Sequence, residues 1–218
     1  MRVAACPLCG SSTEECPPNR RPFRHCPACD LIHVAKEAQP TPEQSAERYR
    51  HHRNSRTDAG YVAMLNETIA FLEDGAANLR RILDYGCGSN PVLAELLRDR
   101  GYRVTAYDPL FAPAADLSAP FDAVVAVEVF EHFTDPALDL RRISSLLSAG
   151  GRLVARTLLH HGPNTLTDWW YARDLTHVVF YSARTFDWIA GAFGLQLIRC
   201  SEDRLVLLKR PACRGAGA

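Results

Sequence analysis

Arg81-Ile-Leu-Asp-Tyr-Gly-Cys-Gly-Ser-Asn-Pro91 decides the fold. Apolar and aromatic residues run into Gly86-Cys87-Gly88. A helical pattern opens after Asn90-Pro91, with Leu93, Leu96 and Leu97 at three- and four-residue spacing. Strand, glycine turn, helix is the first crossover of a doubly wound sheet. Gly86 and Gly88 permit a sharp turn and a close ligand, because no Cβ intervenes. Asn90 is expected to cap the helix and Pro91 to take its first position. The helix N-terminus favours an anionic ligand group.

Further strands and helices alternate downstream. Residues 103–107 read as the second strand and end in Asp108, twenty residues past Gly88. A carboxylate at that distance is what a ribose-binding site requires. Residues 109–120 are too few for a helix plus a strand, so an irregular link is expected, with Asp116 in a loop. The near-continuous apolar run 121–127 suits a strand buried on both faces, and it leads into Glu128-Val-Phe-Glu-His132. Asp135-Pro136 starts a helix carrying Leu140, Ile143 and Leu147. Gly150-Gly151 closes it before a strand over 152–158. Ser182 caps a last helix, and 195–200 and 204–209 form an antiparallel hairpin. Upstream, Tyr61, Met64, Leu65, Ile69 and Leu72 place a helix within 58–79.

The first thirty-five residues carry a different signal. Cys6-Pro-Leu-Cys9 and Cys26-Pro-Ala-Cys29 are two C-x-x-C pairs separated by sixteen residues. Each pair can aim two thiolates at one tetrahedral ion, the pattern of a structural zinc site. So short a segment has no core of its own, and zinc would supply the folding free energy. Cys16 is a spare. The expected organisation is a zinc ribbon over 1–35, a proline-marked linker over 36–57, a main domain over 58–210 and a disordered tail over 211–218.

Among 218 residues, Lys and Arg balance Asp and Glu, for a formal net charge of zero. A generalised polyanion binder is usually basic, so bulk nucleic-acid affinity is not implied. There is no apolar run for a membrane span and no signal-peptide pattern. A reducing, cytoplasmic setting is expected, where the eight cysteines serve as thiols or metal ligands. Arg48, Arg50, Arg53 and Arg56 read first as a solvated helix face and second as a phosphate or carboxylate contact. Residues 159–181, with Trp169, Trp170, Tyr171 and His177, are too aromatic for an idle loop.

The chain resembles the class I S-adenosylmethionine-dependent methyltransferases. The matching residues are Leu83 to Gly88, Asp108, Phe121-Asp122 through Glu128 to Pro136, and Ala149-Gly150-Gly151-Arg152-Leu153, over roughly residues 60–210. Asn90 stands where the family's third glycine would be. Within that superfamily the chain is similar to methyltransferase-domain proteins with an N-terminal zinc ribbon. The resemblance implies an α/β fold: a doubly wound, Rossmann-like, mostly parallel sheet with a C-terminal antiparallel hairpin. It implies that Asp84, Gly86, Cys87 and Gly88 hold the methionine part of the cofactor and Asp108 the ribose. Pro109 and Leu110 would lie by the adenine and Glu128 below the sulfonium. Glu128, Glu131 and His132, with a later His177, also resemble the divalent-metal set of the small-RNA 3′-terminal 2′-O-methyltransferases. In many other methyltransferases such a His is a base or a wall residue.

The leading expectation is methylation of a small molecule, with oxygen slightly ahead of nitrogen or carbon. A base then removes the acceptor's proton, with His132, His177 and Glu131 as candidates; a second divalent metal would instead lower the acceptor's pKa. Trp169, Trp170 and Tyr171 would wall the substrate, with core packing the expected role of at least one Trp. Arg156 and Arg173 would bind an anionic substrate group or be solvated. RNA is the alternative substrate, gripped by the ribbon and Arg48–Arg56. A non-catalytic cofactor-binding scaffold is the third.

Overall fold

The computed structural model describes residues 4–17, 19–50, 54–201 and 203–212. Arg53 and the last six residues of the expected tail lie outside the described residues. The central sheet runs in the order β5-β4-β6-β7-β10-β9. Its strands are β4 (Arg81–Tyr85), β5 (Arg103–Tyr107), β6 (Phe121–Val127), β7 (Leu147–Arg156), β9 (Gln196–Cys200) and β10 (Leu205–Lys209). β5, β4, β6 and β7 are mutually parallel, and β10 pairs antiparallel with both β7 and β9. The doubly wound sheet with its antiparallel hairpin is therefore present.

Helices cover both faces. On one, α2 (Ala59–Glu73) and α3 (Val92–Asp99) bury Leu65, Ile69, Leu72, Leu93 and Leu97 against Ile82, Val125 and Val154. On the other, α4 (Pro136–Leu146) and α5 (Ala183–Ala192) bury Leu140, Ile143, Phe186 and Ile189 against Leu83, Val124 and Leu153. β6 is buried along almost its whole length, as its apolar run requires. Side-chain caps start three helices, those of α4 and α5 as expected. The side chains of Asp58 and Asp135 accept from Tyr61 N and Leu138 N, and Ser182 forms a capping box with Thr185.

Two local expectations change. Pro91, not Asn90, is the N-cap of α3, and it has no side chain to offer. The Asn90 amide instead donates to the carbonyl of Asn54 at 2.7 Å, which removes it from capping. β7 starts at Leu147, paired with Phe121, before the two glycines rather than after them, and a register shift follows on β6. Gly150, at φ 77°, carries the chain through the irregularity. The proline-marked stretch holds a helix, α1 (Pro42–Arg50), on which Arg48 and Arg50 lie as the helix-face reading expects.

The N-terminal strands β1 (Glu14–Glu15), β2 (Phe23–His25) and β3 (Ile32–Val34) form an antiparallel sheet with a fourth member, β8 (Val179–Phe180). Ile32 pairs with Phe180 and His33 with Val179. The cysteine segment and the aromatic stretch thus share one sheet. Phe23, Ile32, Val34, Tyr171 and Phe180 form its apolar cluster. No described helix is long and apolar enough to cross a membrane.

Candidate active site

The site lies at the C-terminal ends of β4, β5 and β6, where a doubly wound sheet opens a crevice. Gly86 and Gly88 adopt φ 81° and 65°, and Gly86 N and Cys87 N both donate to Tyr107 O, tying the turn to β5. A Cβ on Gly86 would lie 2.4 Å from a Val129 methyl, whereas one on Gly88 would meet nothing within 4 Å. Gly86 is thus a packing requirement, and Gly88 borders open space where a ligand can approach the backbone. Cys87 is buried; its thiol donates to Gly88 O.

Asp84 is buried, its Oδ2 has no partner among the described residues, and burial pushes its carboxyl up to about 7. A buried orphan acceptor beside a glycine turn fits a ligand that brings a donor or a positive charge. Asp108 is partly committed. Its Oδ2 accepts from Gly88 N at 3.1 Å, and its Oδ1 from Leu110 N at 2.8 Å and Phe111 N at 3.1 Å. A carboxylate has about four acceptor sites, so one is left for a ribose hydroxyl. Pro109 and Leu110 follow in that turn, with Leu110 exposed. Cradle, orphan acceptor and sugar acceptor together fit S-adenosylmethionine.

Beyond Val129, three donors converge. Glu131, His132 and His177 each place one ligand atom within 4.8 Å of the others. Glu131 is fully buried, and neither of its oxygens has a hydrogen-bond partner among the described residues. Burial raises its pKa. His132 Nδ1 meets Thr176 O at 2.9 Å and His177 Nδ1 meets Tyr171 O at 2.8 Å. Those carbonyls fix Nδ1–H as the donor on each ring and leave both Nε2 atoms free as acceptors. Burial pushes His132 down and takes His177 down to about 4, with the neighbouring His132 adding to it. Both imidazoles are neutral at pH 7. Two neutral imidazoles and one carboxylate are a competent divalent set.

Glu128 lies beside that group. It adopts φ 52°, accepts from the Tyr171 hydroxyl at 3.1 Å and lies 4.0 Å from Arg156. Burial, then Glu131, pushes it up to about 8. Of the four residues expected from sequence, Glu131, His132 and His177 converge, and Glu128 lies beside Glu131. Strain at a non-glycine residue of this kind gathers at functional positions.

The aromatic candidates divide. Tyr171 is buried between Glu128 and His177, Trp169 packs on Tyr171 and Phe180, and Trp170 is 66% exposed. Arg156 is spent on Glu67. Among the expected basic face, Arg48 pairs with Asp174, Arg50 with Glu47, and Arg56 with Asp99 and Glu95. Sequence reasoning missed Tyr49, whose ring stands edge-on to His132 with centroids 5.2 Å apart. No local pattern marks a lone aromatic on a solvated helix.

Cys6, Cys9, Cys26 and Cys29 do converge, with Sγ–Sγ distances of 3.6 Å for Cys6–Cys29 and 3.4 Å for Cys9–Cys26. A tetrahedral zinc with bonds near 2.3 Å sets its sulfurs about 3.8 Å apart. The residues therefore fit zinc. Cys16 is half-buried in the neighbouring apolar cluster, and burial lifts its thiol to about 11.

A family model for the methyltransferase domain matches residues 23–199. The chain belongs to this family, and its fold is that of the class I S-adenosylmethionine-dependent methyltransferases. A ubiquinone biosynthesis O-methyltransferase of Xylella fastidiosa is 33% identical over 105 residues, covering 36% of this chain and 42% of the relative. The match thus spans about two fifths of that relative's length. The 1,6-didemethyltoxoflavin-N1-methyltransferase of Burkholderia thailandensis, with S-adenosylhomocysteine bound, superposes with a TM-score of 0.56 at 17% identity, covering 86% and 98% of the two chains. The [4+2]-cyclase SpnF superposes at 0.53 with 16% identity, covering 80% and 97%. Fold likeness alone therefore names no reaction.

Proposed function

We propose that the protein transfers a methyl group from S-adenosylmethionine to a hydroxyl of a small molecule. The observation that carries this reading is the convergence of Glu131, His132 and His177 immediately beyond the glycine turn. The O-methyltransferase match supports oxygen as the acceptor atom. Bound S-adenosylmethionine supplies a methyl on a cationic sulfur. Asp84, Gly86, Cys87 and Gly88 would hold its methionine part and Asp108 its ribose, with Pro109 and Leu110 by the adenine and Glu128 by the sulfonium. An O–CH₃ bond forms as the S–CH₃ bond breaks and the neutral sulfide departs.

The acceptor's proton passes to Nε2 of His132 or His177, both free and neutral. A divalent ion on Glu131, His132 and His177 would lower the pKa of a bound hydroxyl. Three protein ligands leave positions open, which suits a substrate with two adjacent hydroxyls. The chain's own work is alignment: Val129 joins the two half-sites, and Tyr171 orients Glu128 and His177. We read zinc in the cysteine cluster as structural, residues 1–35 as its ribbon, 36–57 as a link and 58–210 as the methyltransferase domain. A cytoplasmic location remains part of this reading. RNA is the second reading, for which the Glu131–His132–His177 cluster speaks; against it, Arg48, Arg50 and Arg56 are each paired with an acidic residue of the chain.

Radiolabelled methyl transfer to a panel of adjacent diols and matched single hydroxyls tests the proposal. Transfer to the diols, lost in Glu131→Ala and His177→Ala, is expected. Transfer only to amines, or none despite tight cofactor binding, overturns it.

A further inference from the structure

The turn Asp174-Leu-Thr-His177 carries one of the three acceptor-site donors, His177, and belongs to no helix or strand. What holds it is a side chain from the cysteine segment. Arg21 Nη1 donates to Asp174 O at 2.7 Å and to His177 O at 2.9 Å, and Nη2 donates to Leu175 O at 2.9 Å. The guanidinium is half-buried, and no ion pair of it occurs among the described residues. Its charge is given to three main-chain carbonyls of one turn. Charge-assisted bonds of this kind are stronger than neutral ones, and the planar fork fixes their directions.

The turn in turn sets both imidazoles. His177 is part of it. Thr176 O accepts from His132 Nδ1, and Thr176 is itself held by Asp174 Oδ1 through its N–H and hydroxyl. The next residue continues the link: Val34 N donates to Val178 O, and Val178 N donates to Glu131 O, both at 2.8 Å. Every donor of the triad is thus connected to the cysteine segment by one or two hydrogen bonds.

We propose that Arg21 is a positioning residue, through which the cysteine segment sets the His132 and His177 imidazoles relative to Glu131. The geometry stands by itself, while its consequence for metal binding rests on the reading of the triad given above. The cysteine segment then serves the chemistry without touching substrate.

The test uses the zinc-loaded full chain with Arg21→Gln and Arg21→Lys. Imidazole NMR signals, assigned with His132→Ala and His177→Ala, are the first readout. In the wild type both Nδ1–H signals are protected; in Arg21→Gln they broaden and shift, and Arg21→Lys falls between. Mn²⁺ affinity, read by electron paramagnetic resonance, falls about tenfold or more in Arg21→Gln, the size usual for outer-sphere partners of metal-bound His. S-adenosylmethionine affinity stays at the wild-type value, which a general loosening of the fold would not allow. Imidazole signals identical to wild type overturn the inference. A wild type that binds no Mn²⁺ while Arg21→Gln still moves the imidazoles removes the metal reading and leaves Arg21's role standing. If Arg21→Gln does not fold, Arg21→Lys carries the same comparison.

Discussion

The α-carbon of Gly86 faces the isopropyl group of Val129, so closely that a Cβ would sit 2.4 Å and 2.9 Å from its two methyls. This contact joins the turn that holds the cofactor to the loop that presents the acceptor site. Gly86→Ala meets both a clash and a left-handed φ of 81°. A loss of about 1–3 kcal/mol in unfolding free energy is expected, along with weaker cofactor binding. In a Val129→Ala background the clash eases and only the backbone part, about 1–2 kcal/mol, remains. Denaturant melts of the four proteins measure both parts, and equal losses in the two backgrounds would exclude the contact.

Asp84 makes stability and cofactor binding depend on pH. Its folded pKa, near 7, lies above the ordinary 3.8, so the folded state holds more protons between those values. Unfolding free energy from this group therefore falls as pH rises from about 4 to 7, then levels. A ligand with a positive charge favours the carboxylate, so S-adenosylmethionine binding should strengthen as pH rises through 7. Calorimetry from pH 6 to 8 should show that slope in the wild type and a smaller one in Asp84→Asn, where Glu128, pushed up to about 8, still titrates. A flat wild-type profile would place the ligand elsewhere.

The cysteine cluster should hold one zinc per chain. With Cys6→Ser and Cys9→Ser together the ion is lost, and with it an apparent binding free energy of about 10 kcal/mol that ordinarily appears as folding. Because β3 pairs with β8, the damage should reach Val179 and Phe180. Hydrogen exchange at those amides reports it, and unchanged protection there would show that the sheet closes without metal.

Trp169 and Trp170 should separate under mutation. Trp169 packs on Tyr171 and Phe180, so Trp169→Ala should lower stability by about 1–3 kcal/mol. Trp170 is exposed, so Trp170→Ala should change stability by less than about 0.5 kcal/mol. If Trp170 covers the acceptor, its loss raises KM with kcat unchanged. Thermal melts and steady-state kinetics on the two variants distinguish the roles.

What could be read from sequence was local. Gly86, Gly88 and Asp108 announce themselves by spacing within one crossover, and Cys6 to Cys29 by two short repeats. Glu131 and His132 were legible as neighbours on one turn, and His177 only through resemblance. The rest depends on partners far along the chain. Asn90 has the chemistry of a cap, but Asn54 takes its amide. Glu128 has the chemistry of a ligand, and Tyr171, forty-three residues on, donates to it. Arg21 and Tyr49 have no pattern at all, because their meaning comes from residues 174–177 and from His132. The pairing of β3 with β8 was invisible for the same reason: a two-residue strand has too short a period to mark itself.

That pairing also bears on the order in which the chain becomes itself. The cysteine strands leave the ribosome before β8, and the sheet they belong to cannot close until Val179 and Phe180 have been made. In the interval β3 offers an open edge and an apolar face that includes Ile32 and Val34. A truncation that keeps residues 58–210 leaves the same edge exposed from the other side, on β8. Such a fragment should be collected as aggregate, and the two ends are best produced as one polypeptide.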